Sequence, residues 1–410
     1  MAKSLKSMES PLRILQLCHK PPRPARDGGC LAMDALTSGL MDLGHPVQIL
    51  TASTHKHPFS RESLKAKYLK ETQIQAVHID TRIHIWGALR GLLTGKSYNV
   101  SRFHTPSMNS ALRKRLANDT FDVILVESLF MAPYLQEIRA QSDALVILRA
   151  HNVEHQIWSD LAQSETNWMR RTYLSILTKQ LKAFESQCLS WFDAILTITE
   201  ADLSVFQEMG CDVPMLVAPF GMAFGSTTSP KKNAFMHSEV FHLGAMDWAP
   251  NIQAVDWLVS EIWPKVQAAV PEARLKLAGK AFPQDFHVPD ELNIDVLGEI
   301  KTADTLLNRP SIMAIPLRSG SGMRIKAIEG AAAGLPIVST TLGAEGLSPI
   351  PPFVLCDDAE AFAAALIHDL RHPKQAIKRG LAGQKWALKH HDNANIVDRF
   401  IVFCRQLQPS

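Results

Sequence analysis

The sequence has no run of about 18 uninterrupted apolar residues, the length a helix needs to cross a bilayer, so no membrane span is expected. Its first residues, Met1 to Pro11, are polar and lack the apolar core and small-residue cleavage site of a secretory signal, which makes the cytoplasm the expected location. The six cysteines, Cys18, Cys30, Cys188, Cys211, Cys356 and Cys404, form no Cys-x-x-Cys pair and no His/Cys cluster at metal-ligand spacing. A reduced compartment and no structural zinc follow as expectations. Net charge is only +3, too little for a general nucleic-acid binder, so no nucleic-acid partner is expected. No short-period repeat is visible, which argues against solenoids and propellers.

What is present is an ordinary globular composition, 46% apolar and 20% charged, spread over 410 residues. Single hydrophobic cores stop growing at roughly 250 residues, so two domains are expected. Residues 13–19 form a short apolar run, followed by a Pro-rich turn and Asp27-Gly28-Gly29. Leu31, Ala35, Leu36 and Leu40 then recur at helical spacing until Gly44-His45-Pro46, and Val47 to Thr51 reads as a second strand. Further buried parallel strands are expected at Val123 to Val126, Ala144 to Leu148 and Ala194 to Thr199, with the first sheet ending near residue 218.

Residues 219–238 are rich in turn formers and lack periodicity, which places a linker there. A second series opens at Val240 to Gly244. A helix from about Asn251 carries Val255, Leu258, Val259 and Ile262 on one face, and strands are expected at Arg274 to Ala278, Ile294 to Leu297, Ile312 to Pro316, Pro336 to Thr340 and Phe353 to Cys356. The expected fold is α/β, with two wound parallel-sheet domains in series.

The segment from Pro316 to Thr340 carries the chemistry. Ser319, Gly320, Ser321 and Gly322 leave room for close backbone approach, and a helix is expected from about Gly322 to Ala333. Free N–H groups at a helix start, with Arg324 and Lys326 nearby, suit an anion. Glu329 stands three residues beyond Lys326, on the same helical face, where a carboxylate can accept from the paired hydroxyls of a ribose. A nucleotide diphosphate fits both features. The alternative is an ordinary surface pair, Lys326 with Glu329, beside a plain loop.

Gly320-Ser-Gly-Met-Arg-Ile-Lys-Ala-Ile-Glu329, with Gly334-Leu-Pro-Ile-Val-Ser339 and Gly343-Ala-Glu-Gly-Leu347, resembles the donor-site signature of family 4 glycosyltransferases of the GT-B fold. Gly244-Ala-Met-Asp-Trp-Ala-Pro-Asn251, Arg149-Ala-His-Asn-Val-Glu154 and the opening Pro21-to-Gly29 block are similar to further parts of that family, in the expected order. The resemblance implies two Rossmann-like domains facing a central cleft. Residues 1–220 would bind acceptor and 221–393 the nucleotide-sugar, with 394–410 a helix crossing back to the first domain through Ile396, Phe400, Val402 and Phe403.

It also implies roles. Glu329 matches the second acid of the family's Glu-x7-Glu motif; the first falls at Ser321, so this sequence lacks it, and the backbone N–H groups of Gly322 and Met323 are the expected substitutes. The positions where the family commonly has a diphosphate-gripping Arg and Lys read Ala245 and Pro250, which leaves Arg324 and Lys326 as the phosphate cations. His151 matches the histidine that faces the reacting sugar, against the alternative of a half-buried loop histidine. Gly28 and Gly29 match the glycine turn near donor and acceptor, against a simple tight turn. Trp248 and Asn251 read as helix entry and N-cap.

The implied reaction is transfer of a hexose-type sugar from a nucleotide-diphosphate sugar to a glycan, lipid-linked or other hydroxyl acceptor, with retention. No cofactor or metal is called for, in keeping with the lack of Asp-x-Asp at the donor segment. The alternatives are a nucleotide-sugar epimerase of the same fold and a non-catalytic nucleotide-sugar-binding relative. Residues 51–120, with 12 Lys/Arg against 4 acids and the stretch Trp86 to Leu93 around Arg90, suggest peripheral contact with an anionic membrane, or else a solvated face.

Overall fold

In the computed structural model the described residues are 10–408, apart from 26, 83, 85, 86, 88–90, 92, 93, 225–237, 284, 285, 287 and 321. Ser321, most of the linker, and Trp86 and Arg90 of the suggested membrane patch therefore lie outside them. The chain divides into two compact units, Met1–Gly221 with Asn393–Ser410, and Met222–Asp392.

The first unit is a seven-stranded parallel sheet of β1 (Ile14–Cys18), β2 (Val47–Ser53), β3 (Gln75–His78), β4 (Val123–Glu127), β5 (Leu145–Ala150), β6 (Ala194–Thr197) and β7 (Met215–Val217), in the order β3-β2-β1-β4-β5-β6-β7. The central strands read as continuous apolar runs because both faces are covered. Leu15, Leu17, Val126 and Leu148 point into one core. Ile14, Leu125 and Ile147 point into the other, where α1 (Gly28–Asp42) contributes Met33, Leu36 and Leu40. That second core also receives Ile396, Val397, Phe400, Ile401 and Cys404 from the C-terminal helix Asn393–Leu407. Its buried stripe is thus 396/397/400/401/404, and Val402, expected inside, is exposed. Asn393 ties the helix down by donating from Nδ2 to the Ala35 carbonyl at 2.7 Å.

A helical hairpin, α2 (Glu154–Ser164) and α3 (Trp168–Leu189), joins β5 to β6. Neither this hairpin nor β3 was expected. β3 is half-exposed and presents no apolar run.

The second unit is a six-stranded parallel sheet of β8 (Glu239–Leu243), β9 (Arg274–Ala278), β10 (Ile294–Gly298), β11 (Ile312–Ile315), β12 (Ile337–Ser339) and β13 (Val354–Leu355), in the order β10-β9-β8-β11-β12-β13. Two helices position its site. α4 (Ala249–Trp257) begins two residues before Asn251, with Trp248 as N-cap, so Asn251 is inside the helix and is not its cap. α5 (Ile325–Ala332) begins three residues later than expected, because Gly320 and Gly322 sit at φ +92° each, a left-handed conformation that cannot continue into a right-handed helix.

In both sheets the strand order reverses at one place, between β1 and β4 and between β8 and β11. The carboxyl ends of the strands flanking such a reversal leave a crevice, the usual ligand position in open α/β sheets.

Candidate functional site

At the reversal in the second unit, β8 ends at Leu243 and the chain turns through Gly244. A Cβ on Gly244 would lie 2.8 Å from both Asn251 Oδ1 and His242 Nε2, so only glycine lets these side chains converge. Lys326, in the first turn of α5, reaches into this turn from the other side. Its Nζ donates to the Leu243 carbonyl at 3.1 Å and to Asn251 Oδ1 at 3.0 Å. Asn251 in turn donates from Nδ2 to the Ala245 carbonyl at 2.9 Å, which fixes the direction of its oxygen.

Both partners of the ammonium are neutral, and it pairs with no carboxylate among the described residues. Burial, followed by the nearby Arg324 charge, lowers the Lys326 pKa to about 7. His242 is fully buried, with Nδ1 placed 3.0 Å from the Ala314 carbonyl, a bond it makes as the N–H donor. Burial and then the Lys326 charge push its pKa down to about 3, so the ring is neutral and adds no charge of its own. The reading of Lys326 and Glu329 as a mutual surface pair does not hold: the lysine faces Leu243 and Asn251.

Arg324 is buried and shapes the glycine loop. It donates to the Gly320 carbonyl at 2.8 Å and the Leu342 carbonyl at 3.4 Å, and lies 3.4 Å from the Glu345 carboxylate. Its guanidinium sits 5.7 Å from the centre of the Trp248 ring. That ring explains Gly320, where a Cβ would come within 2.9 Å of it. Ser319 is tied to α4 by a 2.6 Å bond from its hydroxyl to Gln253 Oε1, while Gly322 and Met323 are half-buried. Glu329, one turn deeper on α5, makes no side-chain hydrogen bond or ion pair among the described residues. Burial first, and Asp304 second, raise its carboxyl pKa.

The first unit holds a second polar cluster at its own strand reversal. Glu127, the last residue of β4, is fully buried and collects three partners. Gln16 Nε2 donates to its Oε1 at 2.7 Å, Arg149 approaches the same oxygen at 3.4 Å, and His151 Nε2 meets Oε2 at 2.7 Å. Burial would raise the Glu127 carboxyl, but the Arg149 charge and the His151 and Gln16 hydrogen bonds outweigh it and bring the pKa down to about 2. His151 is itself lowered, by burial above all, against the raising influence of Glu127. With Nε2–H donated to the carboxylate, Nδ1 keeps its lone pair. His19 lies edge-on to His151 at 6.0 Å between ring centres, with Nδ1 3.0 Å from the Glu127 carbonyl. His151, half-buried in the bend after β5, is therefore oriented by a buried carboxylate.

Gly28 and Gly29 are the first two residues of α1, so they open the helix and do not form a turn ahead of it. Asp27 caps α1 by accepting from the Cys30 N–H at 2.9 Å, and Lys20 Nζ donates to both Asp27 oxygens at 2.8 Å. A Cβ on Gly29 would stand 2.9 Å from that ammonium. Asp27, Cys30 and His57 offer ligand atoms within 4.8 Å of one another, a proximity that spacing along the sequence does not reveal. They escaped notice because β2 separates His57 from the other two. Lys20 already supplies positive charge to that carboxylate.

Sequence reasoning missed Glu127, Gln16 and His19, and treated Asn251 as a cap. The available signal for Glu127 was a lone acid closing an apolar run, Val-Ile-Leu-Val-Glu, on a strand with both faces buried.

Residues 237–372 match the family model described as "Glycosyl transferases group 1". Over 375 residues, 87% of this chain and 90% of the relative, the sequence is 23% identical to a Klebsiella pneumoniae protein called "Uncharacterized 44.6 kDa protein in cps region". Among solved structures the fold is similar to that of sucrose-phosphate synthase from Thermosynechococcus elongatus, with a TM-score of 0.65, 15% identity and coverage of 96% of this chain and 99% of that one. It is also similar to Anabaena HepE solved with UDP and glucose, with a TM-score of 0.60, 13% identity and coverage of 96% and 99%. Within the second unit, residues 237–372 are thus similar to the glycosyl transferase group 1 family, and the two parallel sheets match the GT-B fold of the solved structures.

Proposed function

We propose that this glycosyltransferase moves a hexose-type sugar from a nucleotide-diphosphate donor, bound by the second unit, to a hydroxyl of a glycan or lipid-linked acceptor bound by the first. The observation that carries the reading is the half-buried Lys326, whose ammonium is held, among the described residues, only by neutral oxygens, with the Glu329 carboxylate, unpartnered among those residues, one helical turn away. A diphosphate supplies the anion the ammonium lacks, and a ribose supplies hydroxyl donors for the carboxylate.

In the reaction the bond between the anomeric carbon and the phosphate oxygen breaks, and the acceptor oxygen bonds to that carbon. Negative charge collects on the departing diphosphate, where Lys326 and Arg324 stabilise it more strongly than in the ground state. The acceptor proton leaves on a phosphate oxygen and the configuration at the anomeric carbon is retained. Backbone at Ser319, Gly320, Gly322 and Met323 approaches the donor sugar. His151, held by Glu127, offers its Nδ1 lone pair to a sugar hydroxyl, and Gly28 and Gly29 keep the start of α1 open to substrate. Nothing in this scheme calls on a cofactor or a metal, and the cytoplasm is its natural setting.

A thermal-shift screen of nucleotide-sugars tests donor recognition. UDP-sugars come first because HepE is solved with UDP. Stabilisation by one nucleotide family, lost in Lys326→Ala, is the expected result; no shift with any nucleotide-sugar contradicts the reading. An epimerase would convert the donor without an acceptor, and a binding relative would not convert it at all.

A further inference from the structure

The helical hairpin of the first unit has a surface that the transferase reading does not use. α3 begins with Trp168, 73% exposed, and Met169, 60% exposed, and about two turns later Ile176 is again exposed. The buried residues Leu177, Leu181, Glu185 and Cys188 lie on the opposite side, facing the body of the unit. At 100° per residue the outward side between Trp168 and Ala183 carries Trp168, Met169, Thr172, Ser175 and Ile176, interleaved with Arg171, Lys179 and Lys182. Arg170, although exposed, lies about 200° around the helix from Trp168, on the side of Leu177 and Leu181, and does not belong to this face.

From Trp168 to Phe184 the helix contains Arg170, Arg171, Lys179 and Lys182 and no acid; Glu185 is the first, and it is buried. The hairpin's exposed acid, Asp160, stands on α2. A solvated face of a stable helix ordinarily mixes both signs and keeps tryptophan inside. Exposed tryptophan and methionine next to arginine, on a face of one sign, match the chemistry of a bilayer surface: rings and thioethers at the acyl boundary, guanidinium and ammonium groups among phosphates.

We infer that this outward face of α3, from Trp168 to Lys182, docks on an anionic lipid bilayer. The inference stands independently of the proposed chemistry. Its strength comes from charge complementarity, with apolar insertion by Trp168 and Met169 limited to the first turn. The contact is peripheral, since among the described residues no helix is long and apolar enough to cross a membrane.

Flotation of the full-length protein tests this, with phosphatidylcholine vesicles against vesicles of mixed phosphatidylcholine and phosphatidylglycerol. Binding is expected only to the mixed vesicles and should weaken as salt rises. The pair Lys179→Gln and Lys182→Gln is expected to weaken partitioning roughly thirtyfold, from ~1 kcal/mol per basic residue at an anionic surface. Trp168→Ala should weaken it as well, through lost insertion. Unchanged melting temperature in these variants shows that the hairpin is still folded. Three outcomes overturn the inference: no flotation with anionic vesicles at low salt, flotation that the variants leave unaltered, or concentration-dependent self-association of the protein abolished by Trp168→Ala, which would assign the face to a second copy. Loss of donor turnover with lipid binding intact would count against the transferase reading alone.

Discussion

Lys326 and Asn251, 75 positions apart, meet at 3.0 Å where α4 and α5 converge on the end of β8. The contact gives the half-buried ammonium a dipole but, among the described residues, no counter-charge, and that imbalance underlies the predictions for the second unit.

The first concerns protons. Burial and Arg324 take the Lys326 pKa from 10.5 down to about 7, whereas a bound diphosphate favours the charged form and drives it back up. Above pH 7 the free site is largely neutral, so nucleotide binding takes up close to one proton, and affinity declines as pH rises from 7 toward 9. Calorimetry at pH 8 in two buffers of different ionisation enthalpy reads the uptake directly. Lys326→Met should abolish it, and identical heats in both buffers with the unaltered protein would contradict the assignment.

Glu329→Ala should weaken binding of the free nucleoside diphosphate roughly tenfold to a hundredfold, the worth of hydrogen bonds to a charged acceptor. The same substitution should barely alter binding of a 2′,3′-dideoxy analogue, because the carboxylate is read as a ribose contact. If both ligands lose affinity equally, the residue acts on something other than the ribose.

In the first unit, Glu127→Ala strands the Arg149 guanidinium in a fully buried place and is expected to destabilise by about 3–5 kcal/mol. Glu127→Gln retains hydrogen bonding and should cost less. It should also free His151 to turn, with a fall in turnover that exceeds the change in donor affinity. Thermal unfolding followed alongside donor binding separates the two effects, and a Glu127→Ala protein as stable as the parent would remove the network from the account.

Phe400, on the C-terminal helix, is fully buried in the core of the first unit beside Leu36 and Leu40. Phe400→Ala is expected to destabilise by about 3–5 kcal/mol. Hydrogen exchange should show lost protection in β1 and α1, nearly four hundred positions upstream, with β8 and β11 unaffected. Protection lost only near residue 400 would mean that the helix is not part of that core.

Where both faces of a strand are buried, the sequence was easy to read: β1, β4, β5 and β11 announce themselves as apolar runs. The edge strand β3 and the α2–α3 hairpin were not legible, since half-exposed residues leave no clear periodicity. In the site, Lys326, Arg324 and Glu329 stood close together in one segment and could be found by spacing. Asn251 and Glu127 could not, because their roles arise from side chains that meet across 75 and 24 positions and only the fold brings them together. The start of α5 was misjudged by three residues because serine and glycine alone do not reveal a positive φ; the structure puts it at Gly320 and Gly322.

The central claim is tested most directly by release of nucleoside diphosphate from a recognised nucleotide-sugar, followed with and without acceptor in the parent protein and in Lys326→Ala. The account predicts release that depends on acceptor and falls roughly a hundredfold or more in the variant, the scale for a single group stabilising a developing charge. Release at the parent rate in Lys326→Ala, or release indifferent to acceptor, would contradict it.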